Sequence, residues 1–229
     1  MILTVHIADV GPFAALRALR WHPEPGAVAG MRYAVLTSAA PLRTGRAIVP
    51  QPGRVGLIAA WDDDTAFERF QAGNPLARTL ASGWHVRLDP LRSWGSWPGL
   101  PDLPKQERHL DGGPVAVLTL GRPRLRRLRP FLATSAAAER AAMTHPALLA
   151  ATGLARPPRL VATFSLWRTA AEMRDYAVGM TPGAHRHAIQ AHTHDPFHHE
   201  SVFVRFRPYA AQGSWDGFNP LAEAANIER

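Results

Sequence analysis

Six histidines fall close together near the C-terminal end of the chain: His185, His187, His192, His194, His198 and His199. Imidazole can ligate a metal or carry a proton near neutral pH, so this interval is the first candidate for chemistry. Helical spacing sorts the six. At about 100° per residue, His185, Ala188, Ile189 and His192 share one face, while His187, Gln190, Ala191 and His194 share the other. The first face is apolar apart from its two histidines and predicts contact with a core or a pocket. The second is polar and predicts contact with water. His198 and His199 follow in a loop with Glu200.

Three readings of these residues stay open on sequence alone. The histidines are satisfied core residues, or several of them hold a divalent metal, or a single one is the axial ligand of a haem. A His-x-His pair on a helix sends its rings to opposite sides, which suits one metal poorly, and no His-Glu-x-x-His pattern is present. A haem asks for one imidazole on an apolar wall and for arginines near its propionates. The chain has no cysteine, which excludes disulfides, iron–sulfur ligation, covalent Cys-x-x-Cys-His haem attachment and thiolate-ligated haem.

The elements that must position these residues come in two copies. Gly95-Ser96-Trp97 is echoed by Gly213-Ser214-Trp215. The apolar run from Val55 to Trp61 is echoed by Val161 to Trp167, and Leu16-Arg-Ala-Leu-Arg20 by Leu125-Arg-Arg-Leu-Arg129. Within copy one, strands are expected at Ile2–Ile7, Tyr33–Thr37, Val55–Trp61 and Trp84–Leu91. Helices are expected from Phe13 to Trp21, after the capping run Asp62-Asp63-Asp64-Thr65, and from Pro75 to Ser82. In the first helix Leu16 and Leu19 are read as the apolar side, with arginine opposite. Copy two repeats the order: strand Val115–Leu120, a helix from Pro123, helical alanine-rich pieces over Ala136–Met143 and His145–Ala151, strand Leu160–Trp167, helices Thr169–Val178 and Gly183–Thr193, and strand Ser201–Arg207. This predicts an α+β fold of tandem ferredoxin-like repeats forming a dimeric α+β barrel. Residues 1–100 are the first repeat, 101–113 a linker and 114–229 the second repeat, which carries the site. Between the Trp61/Trp167 and Gly-Ser-Trp landmarks the second copy is longer, and the histidines lie in that interval.

The composition, 46% apolar and 19% charged over 229 residues, is that of a globular protein. A net charge of +8 admits an anionic partner. The densest cluster, Arg122, Arg124, Arg126, Arg127 and Arg129, lacks interleaved aromatics and reads as a solvated helix face rather than a nucleic-acid site. No uninterrupted apolar run reaches ~18 residues, so a membrane-spanning helix is not expected. Contact with a membrane surface stays open. The first residues read as a strand, not a signal peptide, and the cytoplasm is the expected compartment.

Several short segments in order resemble the spheroidene monooxygenase family, the carotenoid 2-oxygenases. They are Thr163-Phe164-Ser165-Leu166-Trp167, Gly183-Ala184-His185-Arg186-His187-Ala188-Ile189, the strand from Glu200 to Phe206, and Gly213-Ser214-Trp215-Asp216-Gly217 with Pro220-Leu221. Ala184 stands where the family commonly has proline, and Arg186-His187 where it has Gly-Glu. The resemblance implies a haem b oxygenase on a ferredoxin-like scaffold, distantly similar to chlorite dismutases, dye-decolorising peroxidases and aldoxime dehydratases. The family's helix histidine maps onto His185, with His192 the second choice of axial ligand. Arg205, or Arg207, would pair the propionates, and Phe164 and Trp167 would line an apolar pocket. The implied partners are a small apolar substrate and an electron donor or peroxide, in a monomer or a homodimer. Two other readings are haem chemistry on nitrogen, such as aldoxime dehydration, and haem binding without turnover. A fourth is a non-haem protein with an incidental or metal-binding His cluster.

Overall fold

The computed structural model describes residues 1–22, 26–42, 51–108, 112–124, 126, 139–178 and 198–227. Eight antiparallel strands are the frame: β1 (Ile2–Asp9), β2 (Met31–Pro41), β3 (Arg54–Trp61), β4 (Trp84–Gly95), β5 (Val115–Pro123), β6 (Leu148–Arg156), β7 (Leu160–Trp167) and β8 (His198–Gln212). They close into one barrel in the order β1-β3-β2-β6-β7-β5-β8-β4. Each half contributes the same sequence of neighbours, β4-β1-β3-β2 and β8-β5-β7-β6. Two seams, β4 against β8 and β2 against β6, join them.

The helices lie outside. They are α1 (Pro12–Leu19), α2 (Asp64–Gly73), α3 (Pro75–Leu80), α4 (Ala170–Val178) and α5 (Pro220–Ile227). The acidic run before α2 works as expected: the Asp63 carboxylate accepts from the Ala66 N–H at 2.8 Å, satisfying a donor the helix leaves unpaired. Asn74 does the same for Leu76 N–H at the start of α3, at 2.9 Å.

An eight-stranded barrel is just wide enough for its own side chains to fill. Leu3, Ile58, Trp84, Leu118, Phe164 and Phe206 pack the interior together with Trp215. Trp84 lies 5.2 Å from Trp215 and 6.2 Å from Phe164, ring centre to ring centre. In the first half the outer sheet face is covered as well. Every residue of β3 is buried, because α1, α2 and α3 lie over Leu57, Trp61 and their neighbours. This is why β3 reads as an unbroken apolar run rather than an alternating one. In the second half β7 alternates between buried and half-buried positions.

Two expectations change. Residues His145–Ala151, read as helical from their alanines, contain the start of β6 instead. That strand pairs with β7 from Leu148 to Arg156 and with β2 at Ala155, Leu154, Gly153 and Thr152. The ladder to β7, joined by β2 from Thr152 onward, outweighs alanine's modest helix preference. In α1 the buried side chains are Ala15 and Ala18, whereas Leu16 is turned outward. Small residues let the helix lie close on the sheet. The expected helices from Pro123 and from Gly183, and most of Leu125–Arg129, fall outside the described residues.

The two Gly-Ser-Trp motifs close the β4–β8 seam at opposite ends. Gly95 and Gly213 both have positive φ, +79° and +85°. A Cβ on Gly95 would meet the Ser201 carbonyl oxygen, and one on Gly213 the Gly83 carbonyl oxygen. Gly217 also has positive φ, but nothing lies near its Cβ position. Gly213→Ala is therefore expected to cost on the order of 3 kcal/mol of unfolding stability, against about 1 kcal/mol for Gly217→Ala. Urea denaturation of the two variants checks this; equal losses would show that φ alone sets the requirement.

Candidate functional site

The packed interior leaves the outer sheet faces as the places for chemistry, and their registers allow the halves to be superposed. Ile2 pairs with Trp61 as Val115 pairs with Trp167. Thr4 pairs with Arg87 as Val117 pairs with Arg205. Arg205 is thus the counterpart of Arg87. By the same registers Thr119 and Phe203 occupy the positions of His6 and His85.

The two arginines differ in how their charge is met. Arg87 donates to Asp64 at 2.7 Å and to Glu68 at 3.0 Å, both on α2, and lies 5.0 Å over the Phe67 ring. Arg205 is 7% exposed and, among the described residues, donates to Glu107. That carboxylate is shared with Arg92, which reaches it at 3.4 Å. Both guanidinium groups lie over Trp94, Arg92 at 4.5 Å and Arg205 at 5.3 Å. The Nε–H groups of Arg92 and Arg205 are buried without an acceptor among the described residues. Burial pulls the Arg205 pKa below its ordinary value; Glu107 opposes this, and Arg174 on α4 and Arg92 add to it. Among the described residues Arg205 and Arg92 share this one carboxylate and Arg174 adds to the positive potential, so the surroundings of the buried Arg205 are rich in positive charge. A carboxylate or phosphate of a ligand would relieve it, because charge-assisted bonds to guanidinium are strong where water is excluded.

Trp167 lies on this same outer face. Its ring stacks on Tyr176 of α4 at 4.8 Å, and its Nε1–H donates to Ser165 Oγ at 2.9 Å. Phe164 does not join it. The two point to opposite faces of β7, and Phe164 belongs to the barrel interior between Trp84 and Trp215. Arg207 donates to Asp89 at 2.9 Å. His185, His187, His192 and His194 lie in residues 179–197, outside the described residues. His199 is exposed, and the His198 ring packs over Gly121, where a Cβ would touch it. One histidine that the spacing argument passed over, His145, sits beside Trp167 at 5.5 Å. Its Nδ1 accepts from Ala147 N–H at 3.2 Å. Among the described residues no group of three or more His, Cys, Asp or Glu is placed to hold a metal ion.

The spacing argument also missed a histidine pair in the first half. His6 on β1 and His85 on β4 are register partners, and their rings stack at 5.0 Å. They line a cavity of about 310 Å³ with Gln71, Leu80 and Gln212. His85 Nε2 contacts Gln71 at 3.2 Å, whereas His6 Nε2 is buried without a partner. Burial, and then the neighbouring His85, push the His6 pKa down to about 3. Burial and Arg87 push His85 down to about 4. Residues 79 positions apart met only through strand pairing, so no local spacing could reveal them.

The fold is similar to that of two solved aldoxime dehydratases. One was solved in complex with butyraldoxime (TM-score 0.55, 9% identity, 96% of this chain and 84% of that one). The other has TM-score 0.55 and 10% identity over 96% of this chain and 86% of its own. At that identity the likeness is one of fold. No family model matches the chain. Among curated proteins it is 32% identical to a spheroidene monooxygenase of Rubrivivax gelatinosus over 178 residues, 76% of this chain and 67% of the relative. It is 30% identical to that of Rhodobacter capsulatus over 192 residues, 78% and 77% of the two chains. The chain belongs to the spheroidene monooxygenase family. It spans 58% of the length of the Cereibacter sphaeroides relative, at 26% identity.

The depressed histidines give a test of stability. The folded chain keeps His6 neutral down to about pH 3, while the unfolded chain protonates it near the ordinary 6.5. Its contribution is therefore full above 6.5 and is lost as pH falls toward 3. His6→Leu is expected to remove up to about 1.4 kcal/mol per pH unit from the acid slope of unfolding free energy. Urea unfolding of both proteins between pH 7.5 and 4.5 measures it, and parallel slopes would contradict the buried, neutral state of His6.

Proposed function

We propose that this protein is a haem-dependent monooxygenase acting on an apolar substrate of the carotenoid class, on a scaffold of two ferredoxin-like repeats. The family supports the reaction class, since its curated relatives carry the name spheroidene monooxygenase. The observation that supports the cofactor is the buried Arg205, which shares the Glu107 carboxylate with the half-exposed Arg92 and feels the added positive charge of Arg174. A haem's propionates are anions of the kind this cluster lacks. A bound haem would supply oxygen activation, with an electron donor or peroxide as co-reactant.

The chain's own residues would do the rest. In this reading His185, or His192 as the second choice, would ligate the haem iron. Arg205 would hold the propionates, and Arg92 and Arg174 would raise the local positive potential. Trp94, lying under two guanidinium groups, fixes their orientation. Trp167 and Tyr176 close one end of the face against water. Phe164 has no part in this site and supports it only as barrel core. Equal partners at Arg87 explain why the first half would not duplicate the site: its two α2 carboxylates already neutralise the arginine.

Titration with hemin tests the reading. The wild-type protein is expected to give a Soret band, His185→Ala to lose or strongly shift it, and Arg205→Gln to bind hemin about tenfold more weakly. Hemin dimethyl ester, which has no free propionate, should bind wild type and Arg205→Gln alike. A wild-type protein that takes up no hemin would overturn the cofactor. An ester that discriminates between the two proteins would overturn the role of Arg205.

A further inference from the structure

The helix whose orientation differed from expectation exposes a surface that the fold does not use. With Ala15 and Ala18 turned to the sheet, Phe13, Leu16, Arg17 and Arg20 form the outward stripe of α1, at spacings of three, four and seven residues. Phe13 is 91% exposed and Leu16 55%. A phenylalanine this bare contributes nothing to the core and invites a partner. The tip of the β6–β7 hairpin lies beside the end of this helix. Arg156 ties the two together, donating to the Leu19 carbonyl at 3.1 Å and to the Leu36 carbonyl at 3.0 Å. Pro157, Pro158 and Arg159 of the tip are exposed. The nearest carboxylate along the chain, Asp9, is engaged by Arg54 at 2.7 Å, so it does not offset the arginines. Arg17, Arg20 and Arg159 pair with no carboxylate among the described residues.

We propose that α1 and the β6–β7 tip dock the protein on an anionic membrane surface, with Phe13 and Leu16 entering the headgroup–acyl boundary and Arg17, Arg20 and Arg159 against lipid phosphates. Apolar side chains that enter the interface beside cations that meet anionic headgroups are the two components of reversible peripheral binding. Charge selects this occupant over a second copy of the chain, because two such basic surfaces would repel each other. Among the described residues no helix is long and apolar enough to cross a membrane, so the contact is peripheral for these elements. The inference does not depend on the haem reading. A docked protein would, however, meet an apolar substrate where such molecules dissolve.

Co-sedimentation of the apoprotein with vesicles tests it, comparing phosphatidylcholine alone with phosphatidylcholine–phosphatidylglycerol mixtures. Wild type should bind the mixed vesicles, less so at high salt. Phe13→Ser/Leu16→Ser should bind them at least about tenfold more weakly. Because these side chains are exposed, the variant should unfold at the wild-type temperature. Arg17→Gln/Arg20→Gln should lose the salt-sensitive part of the binding. Absence of wild-type binding overturns the proposal, as does unchanged binding by the Phe13/Leu16 variant. A wild-type dimer in light scattering that the same variant converts to monomer would assign the stripe to a second copy instead.

Discussion

The β4–β8 seam is the interaction on which the rest of this protein depends. It is a long ladder, from His85 opposite Gln212 to Gly95 opposite Val202, and it joins the last strand of one half to the last strand of the other. Without it the two four-stranded sheets would each expose an edge and a bare apolar face. With it, and with the β2–β6 seam, the edges vanish and the two inner faces fill a common interior. The glycines of the repeated Gly-Ser-Trp motifs matter because each lets one end of this ladder approach the opposing backbone.

Closure also decides where chemistry can occur. Trp84, Phe164, Phe206 and Trp215 pack the barrel interior, which directs the search for a functional site to the space between a sheet and its covering segments. In the first half that space is taken by Phe67, Phe70 and Leu80 from α2 and α3. In the second half, the matching strands carry Arg205 and Phe203 under a different set of covering residues. Asp64 and Glu68 neutralise Arg87, whereas Glu107 is divided between Arg92 and Arg205. One scaffold position thus holds an arginine paired with two carboxylates in one half and, among the described residues, an arginine that shares a single carboxylate in the other.

Much of the scaffold was legible in the sequence because the repeat supplied internal controls. The buried strands ending at Trp61 and Trp167 and the barrel class followed from it, and a helix cap within Asp62-Asp63-Asp64-Thr65 followed from local composition. The failures have physical causes. Leu148 to Ala151 carries no strand-like alternation, and pairing with β7 makes it a strand. In α1, Leu16 looked like the buried residue because it is the larger one, yet the closer approach to the sheet favours alanine. Phe164 and Trp167 both looked like pocket residues. An odd separation along a strand, however, places two side chains on opposite faces, which assigns one to the core and one to the outer surface. The His6–His85 pair and the Glu107–Arg92–Arg205 cluster depend on cross-strand register and on the path of the segment after β4, neither of which local spacing encodes.

The duplication is most informative where equal positions carry unequal chemistry. Comparing copies by sequence pointed to the extra histidines of the second copy. Comparing them by strand register adds a difference on the sheet itself: neutral, stacked imidazoles and a satisfied arginine in one half, phenylalanine and an under-compensated arginine in the other. A buried cation with too few anions costs stability that the first half shows how to avoid, since two helix carboxylates suffice there. Retaining that cost in only one half is understandable if a ligand anion completes the network when bound. The requirement constrains any cofactor assigned to this face, haem included, to bring negative charge to the neighbourhood of Arg205 and Trp94.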